Sequence, residues 1–303
     1  MDDLQLIDLE QDRPGYRRFI SSWLHRGDGL AYIVDTGPAC SADRLLAELR
    51  RRDVTRLDWI LLTHIHLDHA GAAGHVAAAF PGARVVCWPK AAPHLADPSR
   101  LWEGSLQVLG DTARLFGEPL PVDAGRIARP DALAETGIHW LHTPGHAPHH
   151  VSYLHGDVLF GGEAAGMTCP TRGGDLYMRP ATPPRFFLDV ALDSLARLQA
   201  LEPAPTRFAF GHYGLSDDPA ATLRHGARQL NLWVETLAEL CAETGDDAWS
   251  PAFQERAVAR LAERDPLFAT LDDLEADLRS REEEYVKNTL EGMLGHLGRT
   301  RQA

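Results

Sequence analysis

The sequence predicts an α/β fold with a mixed sheet, and three observations predict it. Short apolar runs alternate with helical patterns through roughly the first 200 residues. Turn signals between neighbouring apolar runs mark hairpins, so part of the pairing is antiparallel. A cluster of histidine and aspartate stands where an apolar run gives way to an alanine-rich one. That is the C-terminal end of a strand, where α/β folds hold their sites.

The elements follow in order. Gln5 to Leu9, Arg18 to Leu24 and Leu30 to Asp35 read as strands, and Arg26-Gly27-Asp28-Gly29 joins the last two as a hairpin. Ser41 caps a helix that runs to about Arg52, with Leu45, Leu46 and Leu49 on one face. Leu57 to Leu62 is short and apolar, as a buried strand is, and Ala70 to Phe80 reads as a helix. Arg84 to Trp88 is a strand, and 91–120 is helical with Pro and Gly breaks. Ile138 to Leu141, Val151 to Leu154 and Val158 to Phe160 are strands, with Gly156-Asp157 as a hairpin turn. A helical period covers Phe186 to Leu201, and Arg207 to Phe210 is a short strand. After Gly214 the pattern turns almost wholly helical, near Asp218 to Thr244, Pro251 to Arg264 and Leu271 to His296. The chain therefore divides into 1–215, which carries the polar motifs, and a helical region 216–303. Packing and a homodimer contact are both open roles for that region.

Composition sets the outer limits. A chain of 303 residues, 44% hydrophobic and 24% charged, has ample material for a core. A net charge of -13 argues against a broad nucleic-acid surface, which needs a basic face. No apolar run approaches the ~20 residues that span a bilayer. The start, Met1-Asp2-Asp3-Leu4, lacks the signal-peptide pattern, so a cytoplasmic location is expected. Cys40, Cys87, Cys169 and Cys241 are too scattered for a disulfide framework or a structural zinc site.

Thr63-His64-Ile65-His66-Leu67-Asp68-His69 is the most informative stretch. Imidazoles and a carboxylate gathered this closely suit a divalent cation, which takes neutral nitrogen and carboxylate oxygen as ligands. His64 and His66 are two apart, so an extended backbone points both the same way. Asp68 and His69 follow where the chain turns into a helix and face a second point nearby. One loop can thus serve two metals. The plainer alternative is a polar loop with Asp68 as an N-cap.

The pattern His-x-His-x-Asp-His after an apolar strand resembles the signature of the metallo-β-lactamase-fold superfamily, in its glyoxalase-II-like branch. Further stretches resemble the pattern in order: Tyr32 to Gly37, His142 to His146, Leu159 to Gly166, and Phe210 to Gly214. The resemblance covers roughly 15–215 and implies an αββα sandwich of two mixed sheets with a C-terminal helical appendage. It assigns His64, His66 and His146 to one metal and Asp68, His69 and His212 to another. It implies two divalent ions, zinc being the expected metal and iron or manganese the alternatives. Where related enzymes carry a bridging aspartate, this chain has Glu163, longer by one methylene. His150 matches a structural histidine, while His149 stands where glycine is usual and reads as a pocket residue. Asp35 reads as a brace for the metal loop, and His142 as a residue that orients a ligand.

The implied chemistry is hydrolysis of an activated acyl bond (thioester, lactone or related ester) by a metal-bound hydroxide. Asp68 would act both as ligand and as the group that orients the nucleophile. The partner is a small-molecule acyl substrate, not a nucleic acid or a membrane. Thr168 to Arg185 reads as a rim loop, with Tyr177 and Arg179 as substrate contacts. The helical region resembles in placement that of glyoxalase II, which helps to cover the substrate. Rival readings are a mononuclear iron persulfide dioxygenase, a nuclease-like member of the superfamily, and a non-catalytic metal-binding module.

Overall fold

In a computed structural model, residues 4–27, 29–244 and 250–300 are described, and two sheets lie face to face between layers of helices. The first sheet runs in sequence order. It contains β1 (Leu4–Asp8), β2 (Ser21–Gly27), β3 (Leu30–Val34), β4 (Trp59–Leu61), β5 (Arg84–Val86) and β6 (Ile127–Ala128). β1 to β3 form an antiparallel meander, whereas β3 to β6 pair in parallel. Parallel neighbours need crossovers, and helices supply them. These are α1 (Ala42–Arg51), then α2 (Leu67–Ala70) with α3 (Ala73–Ala79), then α4 (Ala92–Ala96), α5 (Ser99–Leu109) and α6 (Asp111–Phe116).

The second sheet contains β7 (Ile138–His142), β8 (Val151–His155) and β9 (Val158–Gly162) as an antiparallel meander joined partly by the Gly156-Asp157 turn. The chain then makes a separate hairpin, β10 (Met167–Pro170) and β11 (Leu176–Arg179), and crosses through α7 (Leu188–Gln199). β12 (Arg207–Phe210) returns parallel to β9, and β13 (Leu215–Ser216) edges the sheet. Three helices complete the described chain: α8 (Pro219–Thr244), α9 (Pro251–Arg264) and α10 (Ala276–Thr300).

Three apolar clusters correspond to the layers. Trp23, Tyr32, Val34, Leu61, Tyr153 and Phe160 fill the space between the sheets. Ile33, Leu45, Leu49, Ile60, Val76 and Phe116 pack the first sheet against its helices. Leu159, Leu195, Phe208, Phe210, Trp233 and Phe253 pack the second sheet against α7, α8 and α9. The expected αββα sandwich is the observed fold. β9 is buried along its whole length, as a central strand covered on both faces is.

Several expectations shift. Asp28, in the expected hairpin turn, lies outside the described residues, as does Met1-Asp2-Asp3. Ser41 stands at the N-cap of α1 but its side chain makes no capping bond. The helix after the metal loop begins at Leu67 rather than Ala70, with His66 at its N-cap. Asp68 is therefore inside the first turn, and the N-cap alternative for it falls away. Residues 168–179, read as a rim loop, form the β10–β11 hairpin instead, with most of β11 buried. The turn residues Arg172, Gly173 and Gly174 disguised two short strands as one loop.

Candidate metal centre

Every polar motif leaves the C-terminal end of a strand, and the two sheets bring those ends together. His64 and His66 follow β4, Asp68 and His69 open α2, and His146 lies between β7 and β8. Glu163 follows β9 and His212 follows β12. Hydrogen bonds between the sheets pin this end. Val151 N–H donates to Thr63 O at 2.7 Å, the Tyr153 hydroxyl to Leu62 O at 2.9 Å, and Trp23 Nε1–H to Phe210 O at 2.8 Å. Buried bonds of this kind contribute about 1 kcal/mol each.

Two groups of side chains converge: His64, His66, His146 and Glu163, and beside them Asp68, His69 and His212. Within each group the ligand atoms lie within 4.8 Å of one another. Glu163 spans both groups. Its Oε2 is 3.0 Å from His146 Nε2 and 3.3 Å from both His64 Nε2 and His69 Nε2, while Oε1 is 3.3 Å from His212 Nε2. Asp68 Oδ2 stands 3.5 Å from His212 Nε2 and 3.8 Å from His69 Nε2.

The outer contacts fix which nitrogen of each ring is bare. His69 Nδ1 lies 2.9 Å from Asp35 Oδ2, an acceptor, so Nδ1 carries the proton. His212 Nδ1–H donates to Phe19 O and His146 Nδ1–H to Ala181 O, each at 3.1 Å. Thr63 Oγ1 donates to Asp35 Oδ2 at 2.8 Å and so accepts from His64 Nδ1 at 3.1 Å. All four Nε2 atoms therefore turn lone pairs inward. His69 Nε2 and His212 Nε2 face each other at 3.3 Å, and in these neutral tautomers neither has a hydrogen to share. His64 Nε2 is buried and makes no hydrogen bond. Lone pairs converging on a buried carboxylate leave the site short of positive charge, and divalent cations fit that donor set.

Without a cation, protons take its place, and the ionisations show the competition. Burial alone would raise the Glu163 carboxyl, but the charges of His146 and His212 hold it well below the usual carboxylate range. Burial opposes charge on His69 as well, and the carboxylates of Asp68 and Asp35 outweigh it, raising that imidazole well above its ordinary value. His64 and His66 are pushed well below theirs by burial and then by neighbouring imidazoles.

Asp35 braces the loop as expected. It is buried at φ +58, and its Oδ1 also accepts Thr63 N–H at 2.8 Å. His150 is structural: its Nε2 accepts Glu163 N–H at 3.2 Å and its Nδ1 pairs with Thr143 Oγ1 at 2.8 Å. Gly162 sits against it at φ +55, where an added Cβ would meet His150 Nε2 at 2.5 Å. His149 is half-buried, its ring 5.9 Å from that of His66, and it accepts Ile65 N–H through Nε2 at 3.3 Å; burial first, then nearby imidazoles, lower its pKa to about 4. His142 orients no ligand directly. It stacks on Trp88 at 3.8 Å and hydrogen-bonds Pro148 O.

Two expected substrate contacts are corrected. Tyr177 is fully buried, packed near Phe268. Arg179 is 2% exposed and committed to Glu282 Oε2 at 2.8 Å and Thr289 Oγ1 at 3.1 Å, both on α10. Both belong to the buried hairpin face, which the rim-loop reading hid. Cys169 is also buried there, its thiol pushed up to about 11 mainly by burial. Thr63 and the carbonyls of Phe19 and Ala181 were not foreseen. A backbone carbonyl carries no mark in the sequence.

Sheets packed face to face with a histidine and carboxylate cradle at one end define a metal-binding α/β sandwich. Residues 15–212 match the Metallo-beta-lactamase superfamily, and the chain belongs to it. It is a metal-dependent hydrolase by family and by the cluster it carries. The chain is 29% identical over 194 residues to the metallo-beta-lactamase fold-containing protein ST1585 of Sulfurisphaera tokodaii, covering 61% of this chain and 70% of that one. It is 32% identical over 198 residues to a hydroxyacylglutathione hydrolase of Acidiphilium cryptum, covering 65% of each. The crystal structure of ST1585 superposes with a TM-score of 0.62 at 25% identity, over 76% of this chain and 86% of that one. The metallo-beta-lactamase family protein TTHA1429 of Thermus thermophilus shares the fold over 100% of this chain and 94% of its own, with a TM-score of 0.61 at 20% identity. Among the described residues no helix is long and apolar enough to cross a membrane.

Proposed function

We propose that the protein is a two-metal hydrolase of an activated acyl bond, a thioester, a lactone or a related ester. The placement of Glu163 carries this reading, with Oε2 toward His64 and His146 of one group and His69 of the other, and Oε1 toward His212. A carboxylate that faces both groups is what a bridging ligand must be. His64, His66 and His146 would hold one ion, and Asp68, His69 and His212 the other. Zinc is the expected metal, with iron or manganese as alternatives. When bound, such a pair supplies an acidified water and an electrophilic contact for the scissile carbonyl. The Asp68 side chain is 15% exposed against 6% for Glu163, so Asp68 is the carboxylate open enough to orient the attacking water and take its proton. Asp35, Thr63 and the Phe19 carbonyl keep the imidazoles aimed throughout.

The relatives named hydroxyacylglutathione hydrolase support the substrate class: they act on an acyl group carried by glutathione, which favours a thioester. The recess beside His146 and Glu163 has apolar walls, Ala164, Ala165, Pro180, Ala181, Phe186 and Leu230 among them, and its cavity volume of about 10 Å³ is that of a single water. The test is metal per chain in protein purified without chelator, followed by thioester and lactone hydrolysis. Two ions with turnover of either class supports the reading. One iron with oxygen uptake on persulfides replaces it with a dioxygenase, and no retained metal after reconstitution ends it.

A further inference from the structure

The family match stops at residue 212, yet the last helix reaches back to one ligand of the metal centre. Residues 11–20 contain turns and bends but no strand or helix, so no backbone ladder of their own holds them. Arg18 lies in the left-handed region at φ +48, a conformation that persists only when the surroundings hold it. The Asp8 carboxylate on β1 accepts Arg18 N–H at 3.1 Å, while α10 and the residue just before it grip Gly15 and Arg17. Gly15 N–H donates to Asp277 Oδ2 at 3.0 Å, and the Arg17 guanidinium reaches Glu275 and Asp277, each at 2.8 Å. Arg281, 3% exposed, donates to Gly15 O at 2.5 Å and to Arg17 O at 3.2 Å. Its guanidinium also lies 4.6 Å from the ring of Phe19, while the Tyr285 ring lies 5.4 Å from it. Phe19 in turn accepts His212 Nδ1–H at 3.1 Å and sets its ring 4.7 Å from that imidazole.

We propose that Arg281 is a positioning residue for the second ion, acting through the 15–19 segment and Phe19 on His212. The inference rests on the two-ion reading above. It predicts an asymmetry, because Arg281 grips the segment behind His212 directly, whereas its path to His146 runs through Glu282, Arg179 and the Pro180 carbonyl to Ala181. The second ion should therefore lose more than the first.

The variant Arg281→Met keeps an unbranched apolar stem and removes the guanidinium donors, while Glu282 keeps Arg179. Metal per chain is read across buffers of graded free zinc, with near-ultraviolet circular dichroism as the check on folding. The expected result is an affinity for the second ion lower by about 10–100-fold, the usual effect of losing a ligand's outer support, with a smaller loss at the first ion. Arg281→Lys, which retains one donor group, should recover part of the loss. A second ion held as tightly as in the parent protein overturns the inference, and so does an equal loss of both ions. Should Arg281→Met not fold, Phe19→Leu decides: it removes the ring but not the carbonyl, and unchanged binding of the second ion overturns the inference. A parent protein that binds fewer than two ions overturns the two-ion reading itself, and this inference with it.

Discussion

Asp35 serves two parts of the metal loop with one carboxylate, accepting from His69 Nδ1–H and from Thr63 Oγ1 and N–H. Asparagine at this position has one acceptor oxygen, so its NH₂ must face a donor. Asp35→Asn is expected to weaken metal binding by about 10–100-fold, and to cost about 1–3 kcal/mol of stability through the unsatisfied buried groups. Chelator competition and urea titration would measure the two effects. A second prediction concerns the metal-free protein. His64, His66 and His150 are held below their ordinary value of 6.5 by burial and then by neighbouring charges, so below that pH the unfolded chain binds protons that the native one refuses. His69 and His146 are raised, burial being outweighed by Asp68 and Asp35 for the one and by Glu163 for the other. Their stabilisation is full below pH 6.5 and fades as the pH climbs through their folded values. Glu163, held low, adds stability that is present above 4.5 and lost as the pH falls through its folded value. The melting temperature of chelator-treated protein should therefore peak near pH ~6.5 and fall on both sides. A steady rise from pH 6 to pH 8 would contradict the ionisation pattern. At this scale the ligands were legible, because imidazole and carboxylate at fixed spacing have few other uses. Their carbonyl partners were not.

Elements were legible where period and length agreed. The strand run Val158 to Phe160 and the amphipathic helix of Leu45 and Leu49 stand where the pattern placed them. Boundaries moved where a polar residue sits in a turn of helix for reasons of chemistry, as Asp68 and His69 do in α2. The β10–β11 hairpin was missed for a different reason. Its strands are four residues each, and its Arg179 looks solvated in sequence but is buried against Glu282. That pair requires α10, which lies more than a hundred residues further on. Arg179→Met should lower stability by about 1–3 kcal/mol, since Glu282 retains Arg281 and is not left wholly unpaired. It should leave KM equal to that of the parent protein for anionic and uncharged acyl substrates alike. A KM rising only for the anionic substrates would return Arg179 to the substrate.

Across the whole molecule, the change of texture near residue 215 marks a change of element type and not of core. Leu223, Trp233, Leu237 and Leu240 of α8 lie in one apolar cluster with Leu195, Leu198, Phe208 and Phe210. Sequence pattern could show that the tail is helical, since each helix carries its own period. It could not show which surface the helices cover, because that depends on partners distant in the chain. Ending the protein at residue 215 would bare the outer face of the second sheet and one side of α7. Each large side chain exposed forfeits roughly 1.5–3 kcal/mol of burial. Several together exceed the ~5–15 kcal/mol that a domain has in total. A 1–215 fragment should therefore be insoluble, or soluble without a cooperative thermal transition. It should also lose the Arg281 clamp on the segment behind His212. A 1–215 fragment that melts cooperatively would instead establish the boundary as a true domain division. Adding 216–303 back as a separate chain separates the remaining cases. Recovery of metal binding on mixing would show that the helices complete the fold and need no covalent link to do so.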